Sequence, residues 1–196
     1  MPRVVAGRYK GSRLAAPAGD RTRPTTDKVK EALFSIIQTR VYDSSFLDLY
    51  SGSGQIAIEA LSRGAGCAVM VEKDAKAAGI IRGNLDKIRA SEDEATLLRL
   101  PVDKAVTKLA KDGMKFDIIF LDPPYMSAQK ALTEALDLIS SGDVLAEDGI
   151  VILEHSSDRH QAAMIPTEYE EFESFRSCSY GLSMLTFFKR GRATVP

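Results

Sequence analysis

From Ser45 onward the chain alternates short apolar runs with amphipathic stretches, and that rhythm leaves few architectures open. Phe46 to Tyr50, Ala68 to Glu72, Thr96 to Val102, Phe116 to Leu121 and Ile150 to Glu154 have the length and β-branched or aromatic content of strands. Several are apolar at successive positions, as expected of strands covered on both faces. Between them, Gln55 to Arg63, Ala75 to Ile88, Lys104 to Lys111 and Ala128 to Ser140 carry apolar residues at helical spacing. Strand and helix in strict alternation predict an α/β fold with a parallel sheet between helical layers. The tail breaks the rhythm: Phe172 to Ser179 and Leu182 to Lys189 flank Tyr180-Gly181 with no helix between, which predicts an antiparallel hairpin.

The start of the chain is different again. Arg3 to Arg8 and Ser12 to Ala15 are expected to form two short strands around a turn at Tyr9-Lys10-Gly11. Val29, Leu33, Ile36 and Ile37 then share one helical face, with Thr25 or Thr26 available as cap and Asp27 suited to the positive end of the helix dipole. We therefore expect a basic β-hairpin and helix over 1–40, joined to an α/β domain over 41–196.

Charge supports that division. The chain totals -1, yet Arg3, Arg8, Lys10, Arg13, Arg21, Arg23, Lys28 and Lys30 face only Asp20 and Asp27 in the first thirty residues, a net of +6 that leaves -7 elsewhere. Cations spaced along one edge neutralise phosphates and release counterions, so a polyanion is the expected partner. A composition of 44% hydrophobic and 27% charged residues, without a long apolar run or signal-peptide pattern, predicts a cytoplasmic protein and no membrane partner. Cys67 and Cys178 lie in expected strands and form no Cys-x-x-Cys pair, so reduced, buried thiols are expected.

Asp48-Leu49-Tyr50-Ser51-Gly52-Ser53-Gly54 closes the first strand of the domain and opens a helix. Glycines there permit a sharp turn and close approach of a ligand to free helix N–H groups. The match to a dinucleotide fingerprint is Gly52, Gly54 and Ala57, and Glu72 stands 20 residues past Gly52, placed to accept from ribose hydroxyls. NAD would be served by the same features. Asp48 tips the balance, because a carboxylate before the glycines hinders a pyrophosphate but orders the loop and attracts the ammonium of a methionine tail. S-adenosylmethionine is the expected cofactor, with Asp103, after the third strand, as acceptor for the adenine amino group or as a simple helix cap.

Phe116 to Leu121 runs directly into Asp122-Pro123-Pro124-Tyr125. Two prolines force a stiff, extended turn at the carboxyl edge of the sheet, where ligands of open α/β sheets bind. An exocyclic amine on a base is a poor nucleophile because its lone pair is delocalised into the ring. The Asp122 carboxylate and the Pro123 carbonyl are two acceptors that would favour a pyramidal nitrogen, and Tyr125 would stack on an extruded base. Methyl transfer to a base amine is the expected reaction, with no metal required.

With both motifs in place, the sequence resembles the bacterial RsmD-type family, which methylates guanine N2 in 16S ribosomal RNA. Carrying the resemblance are Arg3-Val4-Val5-Ala6-Gly7 with Gly11, then Arg23-Pro24-Thr25 followed by Val29, Glu31, Leu33 and Phe34. Glu59-Ala60-Leu61-Ser62-Arg63-Gly64-Ala65 and Tyr180-Gly181 extend it over nearly the whole chain. The resemblance implies a class I (Rossmann-like) methyltransferase fold with a seven-stranded, mostly parallel sheet, S-adenosylmethionine as donor, and a partly assembled small ribosomal subunit as substrate. It also implies that Arg3, Arg8, Lys10 and Arg13 grip ribosomal RNA, and that Arg23 and Thr25 either line the entrance to the site or form a helix-start motif whose arginine pairs with a nearby carboxylate. The sequence departs from the family at Tyr50 and Ser51, where phenylalanine and alanine are usual; Tyr50 could add a hydrogen bond to the methionyl moiety.

Two rival readings share these motifs: a DNA adenine-N6 methyltransferase, which usually needs a further target-recognition region, and an RNA assembly factor that binds the cofactor without turnover. His155 and His160 are expected to be a solvated pair without a role, Glu154 a surface carboxylate, and the acidic runs at 92–94 and 168–173 solvated faces.

Overall fold

The computed structural model describes residues 2–17 and 25–191. Two helices, α1 (Asp27–Ile36) and α2 (Gln38–Val41), precede a first strand β1 (Ser45–Asp48). There follow α3 (Gln55–Ser62), β2 (Cys67–Val71), α4 (Ala75–Ile88), β3 (Ala95–Leu98), α5 (Val102–Lys111) and β4 (Phe116–Leu121). A 3-10 turn (Tyr125–Ser127) leads into α6 (Ala128–Gly142), β5 (Leu145–Ser156), α7 (Arg159–Ala163) and three closing strands. These are β6 (Glu168–Tyr169), β7 (Phe172–Tyr180) and β8 (Ser183–Arg190).

The sheet runs β3-β2-β1-β4-β5-β8-β7-β6, parallel from β3 to β5 and antiparallel beyond. It therefore has eight strands where seven were expected. The additional one is the two-residue edge β6, where Glu168 and Tyr169 pair with Glu173 and Phe172. This part of the acidic 168–173 run is pinned to the sheet, and Arg190 and Lys189 of β8 pair with its Glu171 and Glu173.

Period-two burial explains the layering. Phe46, Ile118, Phe120, Ile150 and Ile152 enter one core cluster with α1 and α3, while Leu47, Ile119, Leu121, Val151 and Leu153 enter the other with α5 and α6. Each such buried side chain stabilises the fold by roughly 1.5–3 kcal/mol. Val29, Leu33 and Phe34 of α1, with Ile37 just after it, belong to the first cluster, so α1 is held by core contacts that cross residue 40. Thr26 rather than Thr25 caps α1, accepting from the Val29 N–H at 3.4 Å.

Of the two N-terminal strands expected, the described residues keep an isolated antiparallel bridge, Arg3 to Arg13. The reason is competition for backbone groups. The N–H groups of Val5 and Ala6 donate to Glu59 at 2.8 and 3.0 Å, and those of Arg8 and Tyr9 to the carbonyl and hydroxyl oxygens of Ser62 at 2.8 and 2.9 Å. Gly7, at φ +81°, lies so close to α3 that a Cβ would sit 1.7 Å from the Ser62 carbonyl oxygen. The opening segment and the Glu59–Ala65 stretch thus fit each other. Lys30, fully buried, completes the joint by reaching the Arg3 carbonyl, Asp27 and Glu59.

Candidate active site

β1 has β2 on one side and β4 on the other, so the order of the parallel strands reverses between β1 and β4. Connections leave such a point in opposite directions and open a crevice at the carboxyl ends of the strands. Asp48 ends β1 at that edge, and Asp122 follows β4. Because Leu121 pairs with Leu153 in parallel register, Asp122 emerges beside Glu154 of β5. Three carboxyls from three adjacent strands therefore converge.

The β1–α3 loop is held largely by its own surroundings. Ser51 donates its hydroxyl to the Asp48 carbonyl (2.9 Å) and accepts from the Val71 N–H (3.1 Å), two bonds that an alanine could not make. The Gly52 N–H donates to Glu72 at 3.0 Å, and the Asp74 N–H to the other Glu72 oxygen at 2.8 Å. Gly52 (φ +53°) and Gly54 (φ +76°) both take the left-handed conformation that disfavours side chains. A Cβ at Gly52 would meet no atom within 4 Å, so the backbone there faces open space. Asp48 is buried and accepts from the Tyr50 N–H at 3.4 Å; burial pushes its carboxyl up to about 7, offset by that bond and reinforced by the charge of Glu72. A ligand with a cation for Asp48 and hydroxyls for Glu72 fits this loop, and S-adenosylmethionine carries both. Asp103 lies in the first turn of α5, exposed beside Lys104.

Asp122, half-buried, neighbours both Asp48 of this loop and Glu154, which lines a cavity. Burial, then the charges of Glu154 and Asp48, raise its carboxyl well above the usual carboxylate range, while the neighbouring Thr25 hydroxyl acts the other way. Thr25 donates its one hydroxyl proton to Glu154 at 2.9 Å, and Ser183 donates to the second Glu154 oxygen at 2.9 Å. Since Ser183 spends its proton on Glu154, the Tyr125 hydroxyl donates to Ser183, 2.9 Å away. Pro123 is buried, and the Pro124 carbonyl accepts from the N–H and hydroxyl of Ser127, which starts the turn into α6. The cavity, of about 210 Å³, is lined by Lys28, Tyr125, Glu154, Tyr180, Leu182 and Ser183 among others.

Several expectations are corrected here. Glu154 is 2% exposed, so it is a buried group of the site and no surface carboxylate. Thr25 is buried too and acts on the carboxyl cluster itself rather than at an entrance. His155 is buried, with Nε2 2.9 Å from the Thr186 hydroxyl and Nδ1 3.0 Å from the Ser156 carbonyl oxygen, and burial lowers its pKa; only His160 is solvated. The two thiols are partly, not fully, buried. The sequence reading missed Ser183, Tyr180 and Lys28 as neighbours of the site. It also missed Asn84, whose amide donates to the Ser53 and Ala15 carbonyls and accepts from the Ala15 N–H, tying the glycine loop to the N-terminal segment. One signal was available for Glu154: a carboxylate ending a strand buried on both faces is costly to keep without a task.

The expected RNA-contacting cations divide into two kinds. Arg3 pairs with Asp27 (2.7 Å) and Arg8 with Glu94 (2.8 Å), although both remain exposed. Lys10 and Arg13 are exposed on the same segment. Arg23 lies outside the described residues.

The family model described as "Conserved hypothetical protein 95" matches residues 2–189. Among curated relatives, "Putative rRNA methyltransferase YlbH" of Bacillus subtilis is 37% identical over 188 residues, covering 96% of this chain and 98% of that one. "Ribosomal RNA small subunit methyltransferase D" of Escherichia coli K12 is 32% identical over 152 residues, 78% of this chain and 73% of that one. The solved structure titled "Putative methyltransferase yhhF from Escherichia coli" superposes with a TM-score of 0.79 at 27% identity, over 96% of this chain and 97% of its own.

Proposed function

The chain belongs to the RsmD-type family of ribosomal RNA small subunit methyltransferases, and from that premise we propose that it transfers a methyl group from S-adenosylmethionine to the exocyclic N2 of a guanine in 16S ribosomal RNA. One observation supports the reading: Asp122 feels the charges of both Asp48, whose loop suits the donor, and Glu154, which lines a cavity together with Tyr125. S-adenosylmethionine supplies an electrophilic methyl on a sulfonium. Asp48 holds the ammonium of its methionine tail, Gly52 lets the backbone come close, Glu72 accepts from the ribose hydroxyls, and Asp103 serves the adenine end. Tyr50 and Ser51 keep the loop in place.

At the base, the Asp122 carboxylate and the Pro123 carbonyl accept the two amine N–H groups and free the nitrogen lone pair from the ring. Once the nitrogen has gained its fourth bond it is cationic, and Asp122, whose burial favours the protonated form, takes up its proton. Positioning contributes on the order of 7–11 kcal/mol to such a reaction. Pro124 stiffens the turn, and the tether from the Tyr125 hydroxyl to Ser183 fixes the ring against which the base stacks.

Lys10 and Arg13, exposed on one segment with Arg3 and Arg8, would meet phosphates of a partly assembled small subunit in the cytoplasm, the partner also expected for Arg23, which lies outside the described residues. Among the described residues no helix is long and apolar enough to cross a membrane. The test is transfer of labelled methyl to small subunits lacking the modification, with naked DNA alongside, followed by nucleoside analysis. N2-methylguanosine in the 16S RNA is expected. Label confined to DNA would reject the reading, and no label in either would favour a non-catalytic assembly factor.

A further inference from the structure

The cavity beside Tyr125 is bordered by consecutive residues of the closing hairpin, Tyr180 to Ser183, and one of them is out of keeping with a turn. Tyr180 pairs with Ser183, so the turn holds two residues, Gly181 and Leu182, and Gly181 stands at φ +64° as a turn this tight requires. Short polar residues are the usual companions of glycine in turns, yet here the second position is a leucine, 63% exposed. A lone exposed leucine needs no explanation by itself; the place and mounting of this one do. Of the large hydrophobic side chains left exposed among the described residues, Leu182 alone lines the cavity. Ser157, just past the end of β5, donates its hydroxyl to the Gly181 carbonyl at 2.8 Å and its N–H to the Leu182 carbonyl at 3.0 Å. The turn is therefore pinned at both carbonyls while the leucine side chain stays in water. Lys28 of α1 lines the same cavity and is exposed as well, so its mouth offers a cation and an apolar tip. Those match the two surfaces that a nucleotide chain presents in turn, phosphate and base face.

A cavity of about 210 Å³ that takes a base through this mouth sets a problem. The target base must leave its stack, and the gap it leaves exposes the faces of both neighbouring bases to water. Unstacking opposes extrusion, and apolar side chains such as leucine offset it by entering the base step. We propose that Leu182 is such a wedge, a positioning residue that fills the space vacated by the target guanine between its two neighbours, with Lys28 meeting the adjacent phosphate. This rests on the reading that a base within RNA is methylated, and adds how that base is kept out of its stack. A wedge must be stiff to hold a gap open. The two-residue turn and the Ser157 bonds supply the stiffness, and a short polar side chain on the same turn would not fill the gap.

The test uses the full chain and small-subunit particles reconstituted with 16S RNA that carries, next to the mapped methylation position, the natural nucleotide, 2-aminopurine or an abasic site. 2-Aminopurine brightens when its stacking partner leaves. With S-adenosylhomocysteine present, the wild type and Leu182→Met should raise that fluorescence, and Leu182→Ala should leave it at the level of the particle alone. On the natural RNA, Leu182→Ala should lower kcat by at least ~10-fold, and on the abasic particle, where a stacking partner is missing, the deficit should shrink to within ~3-fold. Calorimetry with S-adenosylhomocysteine checks that the variant folds. If it does not, the wild type still decides: methylation of the 2-aminopurine particle without any rise in fluorescence overturns the wedge. An equal deficit on natural and abasic particles overturns it too. So does weaker particle binding with the fluorescence rise intact, the result expected if Leu182 packs against a ribosomal protein. Absence of any N2-methylguanosine from the wild type would instead reject the underlying reading.

Discussion

The two sides of the crevice differ in how far the chain must travel to build them. On the glycine-loop side, Asp48, Ser51, Gly52 and Glu72 belong to one strand–loop–helix–strand unit, and the longest bond among them spans 20 positions. On the Asp122 side, Thr25 meets Glu154 across 129 positions, Tyr125 meets Ser183 across 58, and Ser183 meets Glu154 across 29. Closing such distances is a tertiary event, possible only after α1, β4, β5 and β8 have packed. In the proposed reaction the local side would bind its ligand through backbone geometry, and the non-local side would do chemistry through side chains gathered on a finished sheet.

That contrast is easiest to break by mutating one carboxyl on each side. Asp122→Ala should reduce methyl transfer by at least ~1,000-fold, as loss of a group acting directly at the reacting atom does, while S-adenosylhomocysteine binding by calorimetry stays within about 3-fold. Loss of binding in this variant would mean the two sides are not separable. Asp48→Asn should do the opposite, weakening donor affinity by roughly 10–100-fold through loss of a charge-assisted pair, with the rate at saturating donor changed much less.

The pH profile sharpens the same comparison. Asp122 must be ionised to accept the amine, and its raised pKa means that kcat/KM should fall about tenfold per unit of acidification from a limb above the ordinary carboxylate range. A limb at pH 4 would show that Asp122 titrates as an ordinary carboxylate. A smaller effect concerns the polyanion. Reversing the charge of Lys10 and Arg13 together should weaken RNA binding several-fold and lower the slope of log K against log salt by about 1–2. An unchanged slope places the grip elsewhere.

The smallest expected effect is on stability, and its sign is diagnostic. Asp48 is raised from 3.8 to about 7 in the fold, so the folded state binds a proton more tightly than the unfolded chain between those values. The stability linked to that proton is full below pH 3.8 and is lost as the pH rises through about 7. Asp48→Asn, which removes the ionisation, should therefore raise Tm at pH 8 by roughly 2–4 °C per kcal/mol recovered and leave it unchanged near pH 3. A lower Tm at pH 8 would show that the carboxylate stabilises the loop.

Much of the molecule was legible in its sequence for a physical reason. Strand–helix alternation, the glycine loop with Asp48 and Glu72, and the stiff Asp122-Pro123-Pro124-Tyr125 turn are set by near neighbours: period, φ preference and missing donors. The N-terminal hairpin was misjudged because its backbone donors turned to Glu59 and Ser62 of a helix more than fifty positions away, for which local pattern has no vocabulary. Glu154 was misjudged for a related reason. One carboxylate at a strand end reads the same whether water or a neighbouring strand lies beyond it, and only the register of β4 against β5 and the return of β8 decide which. The sequence by itself determined the fold class and the two local turns, the glycine loop after β1 and the proline turn after β4, because each is written within a few residues. The tertiary structure alone decided which carboxyls stand together and in what electrostatic state, because burial and like-charge proximity belong to the packed sheet and to no single segment.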